Sequence, residues 1–170
     1  STKLGLLTEG PNTAGAWIAG AVPHRRTGGK VNTHVGLNAI AMLEKVRKGY
    51  VLLNIEPDLD CTNPVLMHQA LKQAEFVVAF SVYRNPVLEE VANVILPIAP
   101  FTETSGTYVN VTGQWQSFNA VASLFEDSQP AWKGICSMGN LFQLPGFRYD
   151  STEVIREEIR SVMQSAEFSL

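Results

Sequence analysis

Residues 94–118 read VILPIAPFTETSGTYVNVTGQWQSF, and few folds accommodate that order. Val94, Ile95 and Leu96 form an unbroken apolar run, the pattern of a strand buried on both faces of a parallel sheet. Pro97 and Pro100 end the ladder, because proline has no backbone N–H to donate. Thr102 to Gly106 is a run of side chains that bond their own backbone, closed by a glycine. Two short β segments, residues 107–111 and 114–118, then flank Thr112-Gly113 as a hairpin. A buried strand thus gives way at its carboxyl end to a polar turn and a β-ribbon. In open α/β sheets, ligands sit at the carboxyl ends of strands.

The rest of the chain supplies the sheet. Strands are expected near Leu4, Tyr50, Phe76 and Val94, separated by helical patterns, so the fold class is α/β. The expected core is a parallel, Rossmann-like sheet of about four or more strands with helices on both faces, plus the β-ribbon and C-terminal helices. Residues 76–80 and 94–96 are expected among the least exposed. A helix is expected over residues 14–22, and its glycines, Gly15 and Gly20, each cost about 1 kcal/mol there unless something approaches closely. A basic, glycine-rich loop, HRRTGGKVNT, follows, then a helix over residues 35–45. Asn63-Pro64 and Asn85-Pro86 are helix starts, an N-cap followed by proline at the first position. Pro130 opens a helix to Leu141 in which Gly134 and Gly139 suggest close packing. Asp150 or Ser151 caps a last helix with the apolar stripe Val154, Ile155, Ile159, Val162 and Met163. Residues 1–147 are read as one α/β domain and 148–170 as a helical tail.

Charged residues make up 17% of the 170, below the usual ~25%; either part of the surface meets other protein, or a domain with a buried parallel sheet is simply apolar. A net charge of −3 gives no electrostatic footprint for nucleic acid. No apolar run approaches the roughly 20 residues of a membrane span. Cys61 and Cys136 give no disulfide framework, so an intracellular, reducing setting is expected. Ser1 in place of an initiator Met, with no signal-peptide pattern, gives the expectation of a fragment start.

The pattern Leu96-Pro97, Ala99, Glu103, Gly106-Thr107, Asn110, Gly113, Gln116 resembles the signature closing the third domain of molybdopterin oxidoreductases. Its wording here, PFTETSGTYVN with QSF, is similar to one branch: the large iron–sulfur subunits of respiratory NADH:quinone oxidoreductases, complex I. AGAWIAGAVPHRR, GLNAIAMLE, KGYVLLNIEPDLDC and PAWK with LPGF resemble the same branch. The resemblance implies a structural domain of an electron-transfer assembly. Its partners would be the other subunits of the respiratory complex, on the cytoplasmic side of the bacterial inner membrane. The iron–sulfur clusters would belong to an earlier part of the parent subunit, with no cofactor in this segment. A homodimer of the isolated segment is also expected.

The candidate sites are few. There is no G-x-G-x-x-G and no Walker loop, since Gly28-Gly29-Lys30 is followed by Val31. The loop Thr27, Gly28, Gly29, Lys30 is read as solvated surface, its alternative being a phosphate cradle helped by Asn12. Two cysteines fall short of the four thiolates of an iron–sulfur cluster, and Cys61 with His68 lacks metal-ligand spacing. Glu103 among Thr102, Thr104 and Ser105 is read as a turn residue, with acid–base work the weaker reading.

The informative stretch is Asn54-Ile55-Glu56-Pro57. Molybdenum-binding relatives usually carry Gly-x-Asn-Pro here, with open backbone against the anionic pterin dinucleotide. Like charges about 4 Å apart repel by ~4 kcal/mol at an effective dielectric near 20, so Glu56 works against a phosphate. Asn93, Thr112 and Gln114 also replace charged residues frequent in the family. No catalytic, cofactor-binding or metal residue is therefore assigned. The expected function is a cofactor domain that has lost its cofactor. Two alternatives stay open: a piece of a true molybdenum oxidoreductase, formate dehydrogenase-like, or a free-standing anion-binding module using Asn12 and the Thr27 to Lys30 loop.

Overall fold

The structure, a computed structural model, describes residues 10–164. The strand expected near Leu4 lies outside the described residues. The chain divides into two compact units, one comprising Ala39–Thr104 and Ala120–Arg148, the other residues 10–38, Ser105–Asn119 and 149–164.

The first unit is a three-layer α/β body built on strands β1 (Gly49–Leu53), β2 (Phe76–Ser81) and β3 (Val94–Pro97). All pairings are parallel, in the order β1-β2-β3. Helices α3 (Pro64–Gln73) and α4 (Pro86–Val91) make the two crossovers, and α2 (Ala39–Glu44) precedes β1. Both asparagine–proline starts behave as local chemistry dictates. Asn63 Oδ1 accepts from Leu66 N at 3.0 Å, and Asn85 Oδ1 from Val87 N at 2.9 Å and Leu88 N at 3.2 Å. Each satisfies N–H groups that a helix leaves without an internal partner. Strand alternation sends Tyr50, Leu52, Val77 and Ala79 to one face. There they pack with Leu43, Met67, Ala70, Leu71 and Leu88 into the core.

The opposite face carries Phe80 under α5 (Ala131–Leu141). A Cβ on Gly134 would lie 2.6 Å from Phe80 Cε1, so this glycine lets the helix backbone approach the sheet. Gly139 plays the same part toward the ring of Phe147.

The burial expected of residues 94–96 is corrected. Val94, Ile95 and Leu96 are 38%, 38% and 41% exposed. β3 is an edge strand, and α5 covers its outer face only in part. Phe76 is exposed too, while Val77, Ala79 and Phe80 of the central strand are buried. An apolar run reports what a segment prefers as surroundings, not whether the chain supplies them.

The second unit holds α1 (Thr13–Ala19), the antiparallel ribbon β4 (Gly106–Val109) and β5 (Trp115–Phe118), and α6 (Thr152–Gln164). Helix α1 stops short of Val22 because Gly20 turns left-handed, φ 79°. The Cβ missing from Gly15 would overlap the Asn12 side chain, whose Oδ1 accepts from Val109 N at 2.8 Å. The helix expected from residue 35 begins only at Ala39, because Gly36 N is bonded back to Pro23 O at 3.0 Å. The ribbon turn is fastened by Asn110, whose Oδ1 accepts from Thr112 N at 3.0 Å and Gln114 N at 2.9 Å. α6 is tied to this unit: Arg160 lies over the Trp115 ring at 4.9 Å and Arg156 Nη1 donates to Ser117 Oγ at 2.9 Å.

On the surface of the first unit, Glu90 joins α3 to α4. It meets Lys72 Nζ at 2.6 Å and His68 Nε2 at 3.0 Å. The hydrogen bond from Lys72 leads in holding its carboxyl below the ordinary range. A depressed folded-state pKa means stabilisation that is full above the unfolded pKa and is lost as pH falls through the folded value. Glu90→Gln should therefore lower the urea midpoint modestly at pH 7, and the difference from the native chain should disappear in strong acid. Urea titrations at both pH values check this.

Candidate functional site at the carboxyl end of the sheet

Asn54 directly follows β1, and its N–H donates to Phe80 O at 2.7 Å. Its φ of 50° is a conformation asparagine tolerates better than most residues, and it turns the chain out of the sheet. Pro57 is fully buried beneath the turn that follows. Glu56 O accepts from Leu59 N at 3.0 Å and Asp60 N at 2.8 Å, while Asp60 Oδ2 accepts from Glu56 N at 2.8 Å. The turn is thus wound tight on itself.

Asn85, buried at the start of α4, closes the site from β2. Its Nδ2 donates to Asp58 Oδ1 at 2.9 Å and to Glu56 Oε2 at 3.4 Å. With the two capping bonds its amide makes four hydrogen bonds, which is its full capacity. The sequence marked Asn85 only as a helix start; the asparagine–proline pair carried no signal for its second role. Arg84, next to it in the chain, pairs with Glu89 at 2.6 Å. Ser81, buried at the end of β2, donates to Tyr83 O at 2.7 Å.

Glu56, Asp58 and Asp60 therefore stand together where a doubly wound sheet offers its ligand site. They are held by an amide and by backbone, and among the described residues no cation contacts the three side chains. Such a turn presents negative charge and acceptors. It does not suit the phosphates of a pterin dinucleotide, which need backbone N–H groups, Arg or Lys.

The other candidates are placed as follows. Glu103 Oε2 accepts from Phe125 N at 3.0 Å, so it pins the loop after β3. Asn93 Oδ1 accepts from Val77 N at 2.7 Å, at the amino end of the strands and so opposite the acidic turn. Gly28 is buried, with its missing Cβ 3.0 Å from Val162 of α6, and Lys30 is exposed. Arg25 Nη1 donates to Gly29 O at 3.2 Å. Cys61 Sγ meets Asn63 O at 3.5 Å, while His68 faces Glu90. Among the described residues no group of three or more His, Cys, Asp or Glu is arranged to hold a metal ion. Among them, too, no helix is long and apolar enough to cross a membrane.

Residues 3–140 match the molybdopterin oxidoreductase family, and the chain belongs to it. Over 130 residues it is 30% identical to the assimilatory nitrate reductase catalytic subunit of Bacillus subtilis (strain 168), a match covering 74% of this chain and 18% of that protein. The chain thus spans less than a fifth of the length of that curated relative.

Proposed function

We propose that the chain is part of the molybdopterin oxidoreductase-like region of a complex I large iron–sulfur subunit, a domain that keeps the cofactor fold without the cofactor. Its role is structural, within an assembly that passes electrons from NADH toward quinone. Its partners are the other subunits of that complex, on the cytoplasmic side of the bacterial inner membrane. The observation that carries this reading is the acidic turn of Glu56, Asp58 and Asp60 around Asn85, set against an anionic cofactor. The wording of residues 100–118 supports the choice of branch.

A second reading is a segment of a molybdenum enzyme that reduces a small oxyanion. The similarity to a nitrate reductase catalytic subunit favours it. One experiment separates the two. The full-length polypeptide is purified without chelator from a host that makes molybdenum cofactor, then analysed for molybdenum and pterin and assayed with nitrate. Substoichiometric molybdenum, no nitrate reduction and co-purification with NADH:quinone activity are expected. Stoichiometric molybdenum with nitrate turnover would establish the second reading and remove the first.

A further inference from the structure

We infer that the loop after α1 binds a phosphate group, as its dianion, between Arg26 and Lys30. The inference is independent of which branch of the family the chain represents. The loop is a small antiparallel hairpin. Arg25 bridges to Val31, Arg26 N donates to Lys30 O at 2.8 Å, and Asn32 N donates to His24 O at 3.0 Å. That register sets Arg26 directly opposite Lys30 on one face, with Asn32 beside them. Arg25 belongs to the other face, where its guanidinium lies over the Trp17 ring at 5.9 Å.

Directly opposed residues hold their Cβ atoms about 5 Å apart, and like charges placed so work against the pairing. Among the described residues neither Arg26 nor Lys30 has an ion-pair partner. Residues 10–43 contain no Asp or Glu at all. The Arg26 guanidinium is oriented instead by neutral oxygens: Nε donates to Asn32 Oδ1 and Nη2 to Thr33 Oγ1, each at 3.3 Å. It is thus held in place with its charge uncompensated. The loop is anchored on two sides. Thr27 Oγ1 donates to Ala19 O at 3.3 Å, and Gly28 lies against Val162 of α6. Between the two cations Gly29 adds no bulk, with no atom within 4 Å of its missing Cβ. A guanidinium edge and an ammonium at this spacing suit a tetrahedral dianion, which neutralises both. A lone carboxylate carries one charge and leaves one cation over. Asn12 takes no part, since its Oδ1 is occupied by Val109 N.

Amide NMR of the chain, titrated with inorganic phosphate at mildly alkaline pH and constant ionic strength, tests this. Saturable shifts confined to residues 26–33 are expected, with a Kd on the order of 1 mM. Arg26→Gln and Lys30→Gln should each weaken binding at least about five-fold. Lys45→Gln, at an exposed lysine of the other unit, should not. Sulfate should compete and acetate should not. Lys30→Gln should not lower the urea midpoint, because the repulsion goes with the charge, so its loss of binding is not a loss of fold. Glycerol phosphate and phosphatidylcholine vesicles containing phosphatidic acid offer the same group as a soluble ester and as a lipid headgroup; the tighter arm names the source. Absence of saturation, acetate binding as tightly as phosphate, or unchanged binding by both glutamine variants would each overturn the inference. So would a glutamate-rich peptide that seats on residues 26–33 more tightly than phosphate, which would make the loop a contact for acidic protein.

Discussion

Asn85→Asp is expected to lower stability by about 3 kcal/mol at neutral pH and by far less near pH 4. The new carboxylate still caps α4, since an aspartate oxygen accepts from Val87 and Leu88 N–H as well as an asparagine oxygen does. The change acts on the other side. Where Nδ2 donated to Asp58 at 2.9 Å and Glu56 at 3.4 Å, a new carboxylate at a buried position now faces two others, of which Asp58 is exposed and Glu56 half-buried. Neighbouring carboxylates raise one another's pKa. The penalty is therefore present above that raised value and fades as protons neutralise the cluster. Asn85→Ala separates the two effects: it loses cap and donors alike, so acid should restore much less of its stability. Urea unfolding of both variants at pH 7 and pH 4 gives the comparison. A pH-independent cost for Asn85→Asp would mean that the acidic turn does not act as one electrostatic unit.

Leu88→Ala and Leu96→Ala are expected to differ by a factor of two or more. Leu88 is fully buried between α4 and the sheet, so truncation loses transfer energy and leaves a cavity, about 3 kcal/mol together. Leu96 is already 41% exposed, and its truncation should lose about 1 kcal/mol. The measurement is made on dilute chain, where association does not add to the stability of either variant. Equal costs would mean that β3 is covered.

What was legible in the sequence was the part written in local chemistry. The asparagine–proline starts of α3 and α4 need only a side chain and the next two or three N–H groups. The strands of the central body follow from runs that alternate with helical spacing. The acidic character of the turn after β1 could be read from Ile55-Glu56-Pro57 directly. Two things could not. The exposure of β3 depends on what lies over it, and Val94, Ile95 and Leu96 are apolar whatever that is. The link of Asn85 to Asp58 spans 27 residues, a distance over which neither residue type reveals its partner. The late start of α2 is of the same kind: Gly36 bonds to Pro23, and only the folded loop brings them together.

The interleaving of the two units along the chain has a consequence for synthesis. The unit with the parallel sheet needs nothing beyond Arg148, whereas the other takes its pieces from before Ala39, from Ser105–Asn119 and from Tyr149 onward. Emerging from a ribosome, the sheet can close while α1 waits for α6. The hydrogen bond from Val109 to Asn12 bridges 97 residues, and such long closures are slow. Truncation before Thr152 would spare the sheet but leave Trp115, Ser117 and Gly28 without the helix that covers them. Ribosome-bound chains of increasing length should thus become protease-resistant in two stages, the second only after α6 has cleared the exit tunnel.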